Sequence, residues 1–284
     1  MHRHAWVFVR FIVFAILVVL ASAAGGWAQD ARTPRDLFAS FAAGSRKSVD
    51  HSAWDRLLKT YVKPQPDGLN RVDYAAFKRE AHQALKDYIR TLEAVDAGSL
   101  DRPEQFALLA NLYNAKTVDI VLDHYPVASI KDIALGGDLL SVFSGGPWKA
   151  KVTSLGGVPL SLDDIEHAIL RPVFKDARVH YALNCASVGC PNLRREPFTG
   201  AKLGAQLDAA ARAYVNNPRG VDPELDGLVL SSIYNWYQAD FGGSEAAVLD
   251  HVRRYADPPL KAALAGTTSV DDYTYIWKLN DIRR

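Results

Sequence analysis

The chain has 284 residues, with 33 Lys and Arg against 32 Asp and Glu, so it carries no charge surplus with which to hold nucleic acid or an anionic membrane surface. Apolar residues make up 49% of it, enough for a substantial core, and two cysteines are too few for a scaffold built on disulfides.

Residues 1–28 read as an export signal. Arg3 and Arg10 give a positive start, Phe11 to Ala24 is an apolar run without charge, and Gly26-Trp27-Ala28 offers small residues for cleavage after Ala28. The rival is a retained anchor helix, which needs about 20 apolar residues where this run is shorter. Cleavage predicts a periplasmic or secreted protein with no membrane span. Residues 29–284 are then expected to form a single domain, because no linker-like stretch divides them.

Thr33-Pro34 predicts a helix start, with Leu37, Phe38 and Phe41 as its apolar positions and Gly44 as its end. Trp54, Leu57, Leu58 and Tyr61 recur at helical spacing over Ser52 to Val62. The segment Lys63 to Gly68 is a break, and Asp73 starts a longer helix through Leu92. Arg102 to His124 is apolar on every side, which predicts a buried helix. Residues 134–160 are Gly-rich loop, with strands expected at Lys149–Thr153 and Val158–Leu160. Ser161 caps a helix that is expected to stop by Pro172. Arg178–Leu183 predicts a strand, 187–197 a loop, and Lys202–Val215 a helix. Leu228–Leu230 predicts a short strand, Ser231 caps another helix ended by Gly242-Gly243, and Asp272–Lys278 alternates as a strand. The pattern predicts an α+β fold, helix-rich, with a small sheet packed against several helices. It contains no phosphate-binding Gly loop after a strand and no nucleophile elbow.

Three segments carry candidate chemistry. In Val179 to Pro191, Cys185 falls at the end of the expected strand. Strand alternation puts His180 and Asn184 on one face and Cys185 on the other, which disfavours a His180–Cys185 dyad and leaves His180 with Cys190 open. In Ser161 to Arg171, helical spacing puts Glu166 inside the apolar stripe and His167 at its flank. They are either the acid–base partner of a thiol or a structural ion pair with an edge histidine. In Asn111-Leu112-Tyr113-Asn114, two buried amides need partners: they hold the loop around Cys185, orient a catalytic His, or form a structural network. Cys185 and Cys190 themselves allow a disulfide, a reactive thiol at Cys185, or a metal site, for which the spacing is poor. Nothing calls for a cofactor or a metal.

The segments Glu104 to Ala107, Asn111 to Ala115, Ser161 to Arg171, His180 to Pro191, Ser231 to Tyr237 and Asp240-Phe241-Gly242, taken in that order, resemble the domain of unknown function 547 family. The resemblance spans about Trp54 to Asn280. It implies that the Glu166-His167 pair and Cys185 are central, and that a Cys185–Cys190 disulfide is not obligatory. It also implies a distant similarity to papain-like or transglutaminase-like thiol enzymes, with a permuted core because His precedes Cys. On that likeness Cys185 is the nucleophile, His167 the base and Asn114 or Glu166 an orienting group. Asn111, His180, Asn184 and Cys190 would border the site, and N–H groups of the 186–189 loop would hold an oxyanion. The expected function is an exported thiol hydrolase or acyltransferase acting on a small molecule or a peptide. The alternatives are a non-catalytic binding or scaffold protein and, third, thiol–disulfide chemistry.

Overall fold

A computed structural model describes residues 33–135, 146–223 and 227–283. Residues 1–28, where an export signal is expected, and part of the Gly-rich stretch lie outside the described residues. Residues from Thr33 onward cluster as one compact unit.

The centre is the helix read as buried. Asp101 accepts the Glu104 N–H at 2.9 Å and Pro103 sits in the first turn, so the start of Arg102–His124 is capped twice over. We call it α3. Nearly every side chain from Glu104 to Leu122 is buried. Against it pack α1 (Ser52–Tyr61) and α2 (Tyr74–Glu93), the latter capped by Asp73 through the Ala76 N–H. Trp54 stacks on Tyr88 and Tyr61 on Phe77, at centroid distances of 5.8 and 4.3 Å, which locks α1 to α2. The break at Lys63–Gly68 turns a hairpin of β1 (Val62–Pro64) and β2 (Asn70–Val72), which the sequence reading left as loop.

β3 (Thr153–Leu155) and β4 (Val158–Leu160) pair antiparallel, so the first strand starts later than expected. Ser161 does cap the next helix, since its Oγ accepts the Asp164 N–H at 3.0 Å. That helix, α4 (Asp164–Phe174), is wound with the wider π pitch and runs through Pro172 instead of stopping there. A regular α-helix would drive the proline ring into the carbonyl four residues back, and the wider winding relieves that contact. Lys175, in the left-handed region with φ 51°, ends it.

The expected strand at Arg178–Leu183 is a short helix, α5 (Val179–Ala182). After it come α6 (Leu203–Val215), β5 (Val221–Asp222), β6 (Val229–Ser231), α7 (Ser232–Trp236), α8 (Glu245–Tyr255), α9 (Pro258–Ala263) and β7 (Asp272–Thr274). β6 pairs antiparallel with β5 and parallel with β7. The fold is thus α+β, but its strands form three separate small sheets among the described residues, not one. Each strand is too short to build a larger sheet, and burial is left to the helices. No described helix is long and apolar enough to cross a membrane. The first helix, too, is only a single tight turn, Pro34–Phe38.

Two apolar clusters result. One surrounds α3 and includes Val179, Ala182 and Leu183; the other, around α6 to α8, takes Tyr181. α5 therefore lies between the two, and the loop that follows it starts at their boundary. Leu112 is fully buried in the first cluster. Leu112→Ala is expected to lower stability by about 2–5 kcal/mol, read as a drop in the urea midpoint at unchanged slope.

Candidate functional site

The loop after α5 is held from α3. Asn114 donates from Nδ2 to the Ala182 carbonyl at 2.9 Å, and its Oδ1 accepts the Asn184 N–H at 2.8 Å. Asn184 then closes the loop: its Nδ2 donates to the Pro191 carbonyl at 2.7 Å and its Oδ1 accepts the Ala186 N–H at 3.0 Å. That second bond pins Ala186 at φ 61°, a left-handed conformation rare for a residue with a side chain. Beyond it, the Val188 and Gly189 N–H groups donate to the carbonyls of Lys278 and Ile276, each at 2.8 Å. Only glycine fits at 189, because a Cβ there would meet the Ile276 nitrogen at 2.8 Å. The oxyanion role expected of the 186–189 N–H groups is therefore corrected: those of Ala186, Val188 and Gly189 are already bonded within the fold.

Cys185 and Cys190 are joined as a disulfide, and no described cysteine is free. The free thiol read at Cys185 is thus absent from this form. The loop grip brings the sulfurs together, and three donors then surround them. The Cys185 N–H donates to Cys190 Sγ at 2.8 Å, and the Tyr275 hydroxyl lies 3.1 Å from each sulfur. Burial pushes the Tyr275 phenol well above its ordinary pKa, so it stays protonated. Ser187 donates to the Tyr275 oxygen at 3.0 Å, which directs the phenol proton toward sulfur.

The disulfide faces a cavity of about 290 Å³ that Glu166, His167 and His180 also line. His180 belongs to a turn of helix, so the strand argument that put it and Cys185 on opposite faces does not hold. Its ring is buried, stacks on Tyr237 at 4.2 Å, and sets Nε2 2.7 Å from the Asp240 carboxylate. Asp240 is held well below the usual carboxylate range by the His180 hydrogen bond, against burial, with help from Arg171 at 2.5 Å. The other ring nitrogen, Nδ1, lies 3.8 Å from Glu166 Oε1. His167 sits at the rim, about one third exposed at 36%, with Nδ1 3.2 Å from an Arg171 nitrogen. No hydrogen bond joins either ring to sulfur among the described residues. Burial raises Tyr113 and Tyr237 far above the ordinary phenol value, and the nearby Glu166 charge adds to both shifts. Burial also raises Asp163.

Asn111 points elsewhere. Its amide exchanges hydrogen bonds with the Phe198 backbone at 2.8 and 3.0 Å, which fixes its orientation and sets Nδ2 3.2 Å from His51 Nε2. His51 Nε2 must then accept, so its proton sits on Nδ1, facing the Tyr88 oxygen at 2.7 Å. His82, Asp119 and Asp123 come within 4.8 Å of one another, but Lys86 contacts both acids at 3.0 Å and Lys116 contacts Asp119 at 2.7 Å. That group is an ion-pair cluster with its charge already met.

Asp240, Arg171, Tyr237, Tyr275 and the tryptophans of the cavity were not singled out as site residues. The one signal for Asp240 was its place in the Asp-Phe-Gly segment.

The fold and site define an α+β protein with an aromatic cavity at whose wall a disulfide sits beside a His–Asp pair. Residues 97–215 match the family described as "Protein of unknown function, DUF547". The stretch holds Asn114, Glu166, His180 and both cysteines, whereas Asp240 and Tyr275 lie beyond it. No curated protein and no solved structure matches the chain.

Asn114→Ala would leave the Asn184 N–H and the Ala182 carbonyl buried without partners, a loss of about 1–3 kcal/mol for each group, measured by urea unfolding. A pH effect follows from two buried imidazoles. Burial pushes His51 and His251 down from the ordinary 6.5 to about 4. The unfolded chain takes up those protons first, so stability is expected to fall as pH drops from 6.5 toward 4. His51→Gln should flatten the slope of urea midpoint against pH in that window.

Proposed function

We propose that the cavity is the active site of an exported, single-domain thiol enzyme, an amide hydrolase or acyltransferase that rests as a disulfide. The supporting observation is that the Cys185–Cys190 sulfurs and the buried His180–Asp240 pair line the same cavity. A disulfide accords with an oxidising compartment, hence with the periplasm or the exterior.

A dithiol would reduce the bond, leaving two cysteine thiols and an oxidised reductant. Cys185, the less buried of the pair, then attacks the substrate carbonyl carbon. An S–C bond forms as the C–N bond breaks, and His180 takes the thiol proton and passes it to the leaving amine. Water or a second amine resolves the thioester and restores the thiol. Asp240 fixes the orientation of the His180 ring, the part an orienting carboxylate plays in a triad. His180 suits the base better than the expected His167, whose ring is at the rim and engaged by Arg171. The Cys185 N–H, released from Cys190 Sγ, is the donor for the oxyanion.

A second reading, thiol–disulfide exchange, is favoured by the bond itself, with one sulfur reachable and the other buried. The test is acetylation by p-nitrophenyl acetate, followed by intact and peptide mass measurement, with and without dithiothreitol. An adduct on Cys185 is expected only after reduction, and without reduction in Cys190→Ala. His180→Ala should slow it by about 100-fold or more, the scale of general base catalysis. No adduct on reduced protein, or an equal rate in His180→Ala, overturns acyl transfer. If reduction of a disulfide substrate then persists in His180→Ala and vanishes in Cys190→Ala, exchange is the function.

A further inference from the structure

The walls of the cavity have a chemistry of their own. Trp236 packs against Tyr275 at 4.9 Å and stacks with Trp277 at 5.8 Å, while Trp148 meets Trp277 edge-on at 5.7 Å. Trp236 is 47% exposed, so the aromatic surface is open to a ligand at the rim. The polar part of the lining includes two acids, Asp163 and Glu166, among imidazoles and phenols. Asp163 has Lys149 as its nearby counter-charge. Glu166 has Arg171 within Coulombic reach and accepts hydrogen bonds from the Tyr113 and Tyr237 phenols. Its side chain is 12% exposed and has imidazole nitrogens at 3.8 and 3.9 Å, from His180 and His167. Among the described residues no lysine or arginine forms an ion pair with it. Arg171, the nearest basic side chain of its own helix, is drawn off by Asp240.

A carboxylate held by neutral phenols, with no lysine or arginine in contact, still presents negative charge to a cation entering the cavity. Aromatic faces around it offer their negative quadrupoles to the same kind of ligand. A neutral sugar would use the aromatic faces but not the charge, and an anion would be repelled.

We infer that the cavity binds an alkylammonium group, the cation lodged between Glu166 and the Trp236–Tyr275–Trp277 wall. This rests on the reading that the cavity is where substrate binds, and it names the substrate class: amines, as at a lysine side chain or a peptide N-terminus. Bound there, an ammonium places the rest of its molecule within the compartment that the disulfide borders.

The test uses the disulfide form, in which no acyl transfer occurs, so it reads binding alone. Tryptophan fluorescence and calorimetry would be followed with acetyl-lysine methylamide, alanine methylamide, acetyl-norleucine methylamide and glucose. The expected result is that one of the two ammonium ligands binds at least about tenfold tighter than the norleucine compound, the scale of a desolvated cation–π contact. Which of the two binds tells side chain from N-terminus. Glu166→Gln should erase the preference, and Trp236→Ala, at an exposed position that does not threaten folding, should weaken ammonium binding several-fold. Equal affinity for the charged and neutral ligands, preference for glucose, or no binding at all overturns the inference. Ammonium binding without any Cys185 adduct in the acetylation experiment would sink the thiol enzyme and leave this site standing. An adduct with no ammonium preference would do the reverse.

Discussion

One side-chain amide, that of Asn114, ties the buried helix to the loop that carries the disulfide. It takes the Asn184 N–H and gives to the Ala182 carbonyl, so two backbone groups that end α5 are satisfied from inside the core. An amide is suited to this because it is donor and acceptor at once, and the burial of Asn114 keeps water from competing. The loop that leaves this anchor holds a left-handed Ala186 and a close approach of Gly189 to the Ile276 backbone. Without the grip, the two sulfurs would have no fixed place relative to the cavity.

A second constraint is the sharing of charge on the far wall. Arg171, Asp240 and His180 form a chain in which the guanidinium and the imidazole both favour the ionised Asp240. That chain sets the ring of His180 against Tyr237, and it gives the ion-pair contact of Arg171 to Asp240, with Glu166 only within its Coulombic reach. Glu166 is left among phenols and imidazoles. The same arrangement thus orients the His180 ring and leaves an acid lining the cavity, and one π-wound helix, α4, carries both Glu166 and Arg171. A wide turn is a reasonable host for it, since such turns concentrate at functional positions.

Much of this was legible in the chain. The all-round apolar run from Phe106 to Val121 had to be an interior helix, and two asparagines within it had to find partners. Asp73 and Ser161 announced helix starts through capping chemistry. The segment 178–183 misled, because a short apolar run suits a strand or one helical turn equally and periodicity cannot separate them. That error carried over to His180, whose direction was derived from alternation. Pro172 misled in a similar way, since the rule it obeys belongs to the regular α-helix.

The amino-acid order by itself determined which residues must be buried, where helices begin, and that Cys185, Glu166 and the histidines were the groups able to react. Those are consequences of hydrophobicity, capping and side-chain chemistry, all of them local. Only the tertiary structure decided that Asp240, 60 positions away, faces His180, and that Tyr275, 90 positions away, reaches the sulfurs. It also decided that the sulfurs are bonded to each other. Such pairings depend on how the two apolar clusters meet, and the geometry of that meeting comes from packing summed over the whole chain.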